Sequence, residues 1–155
     1  MPYPPPHIMI VEARFYEDLA DEMLRGAERA LKRAGASYEV FSVPGAFEIP
    51  AAVHQAVRAM DFDPKRRRYD GYVALGCVIR GETTHYDYVC QESARGLMDL
   101  ATRYALAMGY GILTCENDEQ AWARAALDQG DKGGVAVGAC LHMIGLKNRL
   151  GLYPR

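Results

Sequence analysis

No stretch of this sequence is long and apolar enough to cross a membrane, because its longest apolar runs are strand-length. The opening MPYPPPH has neither the basic start nor the apolar core of a secretory leader, so the expected location is cytoplasmic. No charge of either sign dominates: 18 Lys and Arg stand against 20 Asp and Glu, and the net charge of −2 argues against a dedicated nucleic-acid binder. The four cysteines, Cys77, Cys90, Cys115 and Cys140, contain no CxxC pair and fit neither a zinc site nor a disulfide framework. Each sits in or beside an apolar segment and is expected to be a reduced, largely buried small hydrophobe. None of the four histidines forms a metal-ligand pattern with another His or Cys, so no metal is expected. Internal repeats are absent, and the one biased tract is the proline-rich arm at residues 1–6, which cannot form a regular interior strand. A chain of 155 residues suits one domain, spanning 1–155, with a proper core.

What is present is an alternation of short apolar strands with amphipathic helices. His7–Ala13 reads as a first buried strand. Tyr16–Ala34 reads as a helix with Ala20, Leu24, Ala27, Leu31 and Ala34 on one face. Acidic residues crowd its start, Lys32 and Arg33 its end, and Gly35 supplies the stop. Tyr38–Val43 is a second strand, Pro44-Gly45 a turn, and Glu48–Met60 a helix. Asp61–Tyr69, with its basic run, reads as a solvated polar connection. Gly71–Val78 is the third strand. His85–Tyr104 follows as a helix, with Cys90, Ala94, Leu97 and Ala101 on one face and Thr84 with Asp87 as a capping box. Gly109–Thr114 is the fourth strand. Asn117 with Gln120 starts a helix to Leu127, Gln129–Asp131 breaks the chain, and a last helix runs from Lys132 to Leu150. Strands alternating with helices imply an α/β fold: a three-layer αβα sandwich with a four-stranded parallel sheet, flavodoxin-like, binding ligands at the carboxyl ends of its strands.

One such end carries the densest chemistry, GCVIRGETTHYDYV at residues 76–89. A strand there delivers Gly81, Glu82, Thr83 and His85 onto a helix N-terminus, where free N–H groups and the macrodipole attract anions. A histidine beside an anion site suits proton transfer on a phosphorylated substrate. Taken alone, the motif fits a plain capping loop as well. Phe15 offers a ring that could stack on a planar heterocycle or simply pack in the core. Glu48 could accept hydrogen bonds from a ring N–H group or only favour its helix start. Arg124 and Lys132 read as surface residues unless a phosphate lies near.

In order along the chain stand ARF at 13–15, VPGAFEIP at 43–50, ALGCVIRGETTHYDYV at 74–89, GILTCENDEQAWARA at 111–125 and DKGG at 131–134. Together they resemble the lumazine synthase family over nearly the whole chain. The resemblance implies a condensation of 5-amino-6-(D-ribitylamino)uracil with 3,4-dihydroxy-2-butanone 4-phosphate, without metal or organic cofactor. By motif, it assigns Phe15 to stacking on the pyrimidine. Ala46, Phe47, Glu48, Cys77, Val78 and Ile79 would line the ring and ribityl site. Glu82 and Thr83 would hold phosphate, and His85 would transfer protons. Tyr110, Arg124 and Lys132 would come from the neighbouring chain of a homopentamer, Arg124 gripping the phosphate. The chain departs from the family pattern at Tyr16, where asparagine is common, and at Tyr110, where phenylalanine is usual. The polyproline start is poorly suited to adding a strand to a neighbour's sheet, so a pentamer or decamer is expected rather than a sixty-subunit shell. The alternative reading is a flavin- or lumazine-binding protein on the same scaffold with little catalysis. The joint presence of His85, Arg124 and Lys132 argues against it, since a binder needs no phosphate clamp.

Overall fold

The computed structural model describes residues 3–63, 65 and 69–152. Its elements are β1 (His7–Ala13), α1 (Glu17–Arg33), β2 (Ser37–Val43), a 3-10 turn (Ala46–Glu48), α2 (Ile49–Phe62), β3 (Gly71–Ile79), α3 (His85–Tyr104), β4 (Met108–Cys115), α4 (Asp118–Ala125) and α5 (Lys132–Arg149). The four strands are all parallel, in the order β2-β1-β3-β4. The three-layer sandwich expected from the alternation is the one formed. α1, α4 and α5 cover one face, over Ile8, Ile10, Val73, Leu75 and Leu113. The other face packs Met9, Val11, Tyr72 and Ile112 against Ile49 and Val53 of α2 and Leu97 and Leu100 of α3. Burying each large aliphatic side chain contributes about 1.5–3 kcal/mol.

Local signals explain the boundaries. β1 is buried along its whole length, which is why its sequence is a nearly continuous apolar run. Its buried Glu12 accepts hydrogen bonds from Arg14 Nη1 and Ser42 Oγ, both at 2.9 Å. β2, at the sheet edge, alternates between exposed and half-buried residues from Ser37 to Phe41. α1 begins at Glu17 and Asp18 and ends at Lys32 and Arg33, and Gly35 takes the left-handed conformation (φ 67°) that stops it. Its buried stripe is Leu19, Ala20, Met23, Ala27 and Leu31. Ala34 is exposed, because the helix has already ended. α5 packs closely because two glycines allow it. A Cβ at Gly109 of β4 would overlap the Ala136 carbonyl oxygen, and one at Gly133 would overlap that of Met23.

Three expectations are revised. α3 buries Val89, Ser93, Leu97 and Leu100, while Ala94 is exposed, so its inner face is rotated from the one read in the sequence. The Thr84–Asp87 capping box does not form: Thr84 makes no side-chain cap, and the Asp87 carboxylate is drawn to Arg80 instead. In the 61–69 connection α2 extends to Phe62, and Tyr69 is buried with its ring stacked on His7 at 5.3 Å. Residues 66–68 of the basic run lie outside the described residues. The second capping signal does form: Asn117 Oδ1 accepts the Gln120 N–H at 2.9 Å, and Gln120 Oε1 accepts the Glu116 N–H at 2.8 Å. Among the described residues no helix is long and apolar enough to cross a membrane.

Candidate active site

Parallel strands open their carboxyl ends on one edge of the sheet. From β1 the chain passes through α1 outward to β2, and from β3 through α3 outward to β4 on the opposite side. The loops leaving β1 and β3 therefore part, and a crevice opens between them. It holds a cavity of about 420 Å³. Phe15 and Tyr16 enter it after β1, Gly45–Glu48 after β2, and Cys77, Val78 and Ile79 from the end of β3. Gly81 and Thr83 of the following loop, with His85, Tyr86 and Val89 of α3, complete the wall.

Phe15 is 73% exposed and meets Tyr16 edge-on, with ring centroids 5.0 Å apart. The neighbouring Arg14 guanidinium pairs with Glu12, Glu17 and Asp21. Phe47 is likewise largely exposed among the cavity-lining residues. Two exposed phenyl rings beside an apolar strand end suit a planar heterocycle. Glu48 Oε2 accepts the Gly45 N–H at 3.0 Å, so this carboxylate also closes its own turn. Burial pushes the Cys77 thiol up to about 12, and its contact with Cys115 adds to the shift. Cys77 is thus a neutral piece of wall at ordinary pH and no nucleophile.

His85 is the exposed first residue of α3, a helix of 20 residues. Its N–H donates to Thr83 Oγ1 at 3.3 Å, which folds loop 81–84 onto the helix N-terminus. Glu82 lies on that exposed loop but does not line the cavity. Tyr16 and Tyr86 are wall residues that the sequence reading did not assign. The signals for them were adjacency, to Phe15 and to His85.

Tyr110, Arg124 and Lys132 are not brought to this cavity within the chain. Tyr110 sits on the free edge of β4 in a separate apolar groove of about 500 Å³, with Leu97, Met98, Ala101, Met108 and Met143. Arg124 is exposed at the end of α4, its Nη1 donating to the Gln120 carbonyl at 3.2 Å. Lys132 is exposed at the start of α5. Among the described residues no three His, Cys, Asp or Glu side chains group as a metal site would need.

Residues 5–148 match the family model described as 6,7-dimethyl-8-ribityllumazine synthase. A protein of Rhizobium meliloti (strain 1021) named 6,7-dimethyl-8-ribityllumazine synthase 1 is 62% identical over 95% of this chain and 95% of its own length. Proteins named 6,7-dimethyl-8-ribityllumazine synthase from Agrobacterium fabrum and Bartonella tribocorum are 59% and 56% identical. Each alignment covers 94% of this chain, and 97% and 93% of the respective relative.

Proposed function

The chain belongs to the 6,7-dimethyl-8-ribityllumazine synthase family, and from that premise we propose how its residues carry out the reaction. The enzyme is a transferase of riboflavin biosynthesis. It condenses 5-amino-6-(D-ribitylamino)uracil with 3,4-dihydroxy-2-butanone 4-phosphate to give 6,7-dimethyl-8-ribityllumazine, phosphate and water. The observation that carries the site assignment is the single cavity joining an exposed aromatic ring, Phe15, to a helix-start loop bearing Thr83 and His85.

The pyrimidine stacks on Phe15, with Ala46, Phe47, Glu48, Cys77, Val78 and Ile79 around the ring and ribityl chain. The butanone phosphate lies at Glu82 and Thr83 on the N-terminus of α3, where helix polarity favours an anion. The substrate amine attacks the ketone, and water leaves to give an imine. Loss of a proton and departure of phosphate give an enol, and ring closure with dehydration completes the product. His85 moves the protons. Holding two reactants together supplies much of the acceleration, up to about 7–11 kcal/mol.

Arg124, Lys132 and Tyr110 complete the site from the neighbouring copy in a homopentamer, with Arg124 gripping the departing phosphate bidentately. Their absence from the wall of the chain's own cavity supports this reading, as does the apolar groove along β4 that leaves Met98 65% exposed. The assembly stops at a pentamer or decamer. The arm is turned back on its own chain, with Tyr3 OH donating to the Asn148 carbonyl and Ser37 N–H to that of Pro6. A cytoplasmic location belongs to the same proposal and is checked by cell fractionation. Incubating the protein with both substrates and following lumazine fluorescence tests the function: product should accumulate with release of phosphate. Ligand binding without turnover would instead make the chain a lumazine-binding protein.

A further inference from the structure

All residues of loop 81–84 are exposed, yet the loop must hold a definite shape to present Thr83 and His85. Its two ends are joined by one side chain. The backbone N–H of Arg80 donates to the Cys115 carbonyl at 3.0 Å, continuing the β3–β4 ladder by one residue. Its guanidinium lies over the Tyr86 ring, 4.3 Å from the centroid. Nη2 pairs with Asp87 Oδ1 at 3.3 Å, and Nε donates to Glu116 Oε2 at 2.7 Å. Glu116 is itself fixed through its N–H, which donates to Gln120 Oε1 at 2.8 Å. One planar group thus ties the end of β3 to the first turn of α3 and to the β4–α4 junction, bridging the loop. We propose that Arg80 is a positioning residue for the phosphorylated substrate, clasping loop 81–84 so that Thr83 and His85 stand where the phosphate and the transferred proton need them. This rests on the reading of that loop as the phosphate site.

Arg80 is not itself the phosphate ligand, because two carboxylates already occupy its fork. Each exposed pair alone is weak, but here three contacts converge on one rigid group. A lysine could not lie flat on Tyr86 while bridging both carboxylates.

The test compares R80A, R80K, D87N and E116Q with the unmodified enzyme. R80A should raise the KM for the butanone phosphate about tenfold, with kcat reduced less and the KM for the pyrimidine unchanged. Hydrogen exchange at residues 81–86 should quicken in R80A while the β3 core keeps its protection. R80K should share most of the defect, and D87N and E116Q should show smaller shifts in the same direction. If R80A does not fold, the other three variants carry the test. Equal changes in both KM values, or unchanged exchange in the loop, would overturn the proposal. Arg124→Ala separates the two readings. If Arg124→Ala raises the phosphate KM and the Arg80 variants do not, only the clasp fails. If neither does, the phosphate-site reading fails as well.

Discussion

Phe15, just past the carboxyl end of β1, and Tyr110, in the amino-terminal half of β4, are both exposed aromatic rings, 73% and 43% open respectively. Phe15 lies in a cavity walled on several sides by its own chain. Tyr110 lies on an unpaired sheet edge among Met98, Met108 and Met143. The first environment fits a small planar molecule, and the second fits another protein surface. The contrast divides the proposed site into a half formed within the chain and a half assigned by the proposal to a second copy.

The largest effect should come from closing the open side. Met98→Glu puts a charge into the β4 groove, where burial without a partner costs about 3–5 kcal/mol. Light scattering should show a smaller particle that keeps its helical circular dichroism and has lost most of its activity. A particle of unchanged mass would mean that the groove is not an interface. Within the finished half, His85→Ala should lower kcat by about 10²-fold without abolishing turnover, since proximity remains. Steady-state kinetics with both substrates measures this. An unchanged kcat would remove His85 from proton transfer. Phe15→Ala comes next, with the KM for the pyrimidine raised about three- to tenfold, the worth of one stacked ring. The KM for the butanone phosphate should stay in place, and a shift there instead would reverse the assignment of the two substrates.

Much of this contrast was legible in the sequence, and the limits have physical causes. β1 was readable to the residue because both its faces are buried, so no polar alternation blurs it. The ends of α1 were readable from its terminal charges and from Gly35. The inner face of α3 was misread because the helix carries two apolar stripes. Val89, Leu97 and Leu100 cover the sheet, whereas Ala94, Met98 and Ala101 border the groove, which Leu97 also reaches. Periodicity alone cannot say which stripe its own chain buries. The Thr84–Asp87 box failed because capping was judged from α3 alone, and the competing partner, Arg80, is five residues upstream of the helix. The cavity residues Phe15, Glu48, Cys77 and His85 are far apart in sequence. They were grouped by motif and by the rule for strand ends, and the fold brings them together. The contact between Cys77 and Cys115 depends on the packing of two adjacent strands, which no local pattern announces.

The smallest expected effect concerns that contact. The Cys77 thiol is raised from an ordinary 9.0 to about 12, so the folded chain holds this proton more tightly than the unfolded one. The sign follows: its contribution to stability is complete below pH 9 and is lost as pH rises towards 12. Unfolding midpoints measured across that range should fall. Cys77→Ser should flatten part of the decline, because a serine hydroxyl does not titrate there. A steeper decline in the variant would contradict the burial argument.

The division of the site between two copies is tested most directly by mixing the His85→Ala and Arg124→Ala variants. Each alone should be poorly active. Co-assembled in equal amounts, about one site in four would pair an intact His85 with an intact Arg124 from its neighbour. The account predicts recovery to about a quarter of normal activity. Activity no greater than the average of the two variants would show that His85 and Arg124 serve the same chain's cavity, or none.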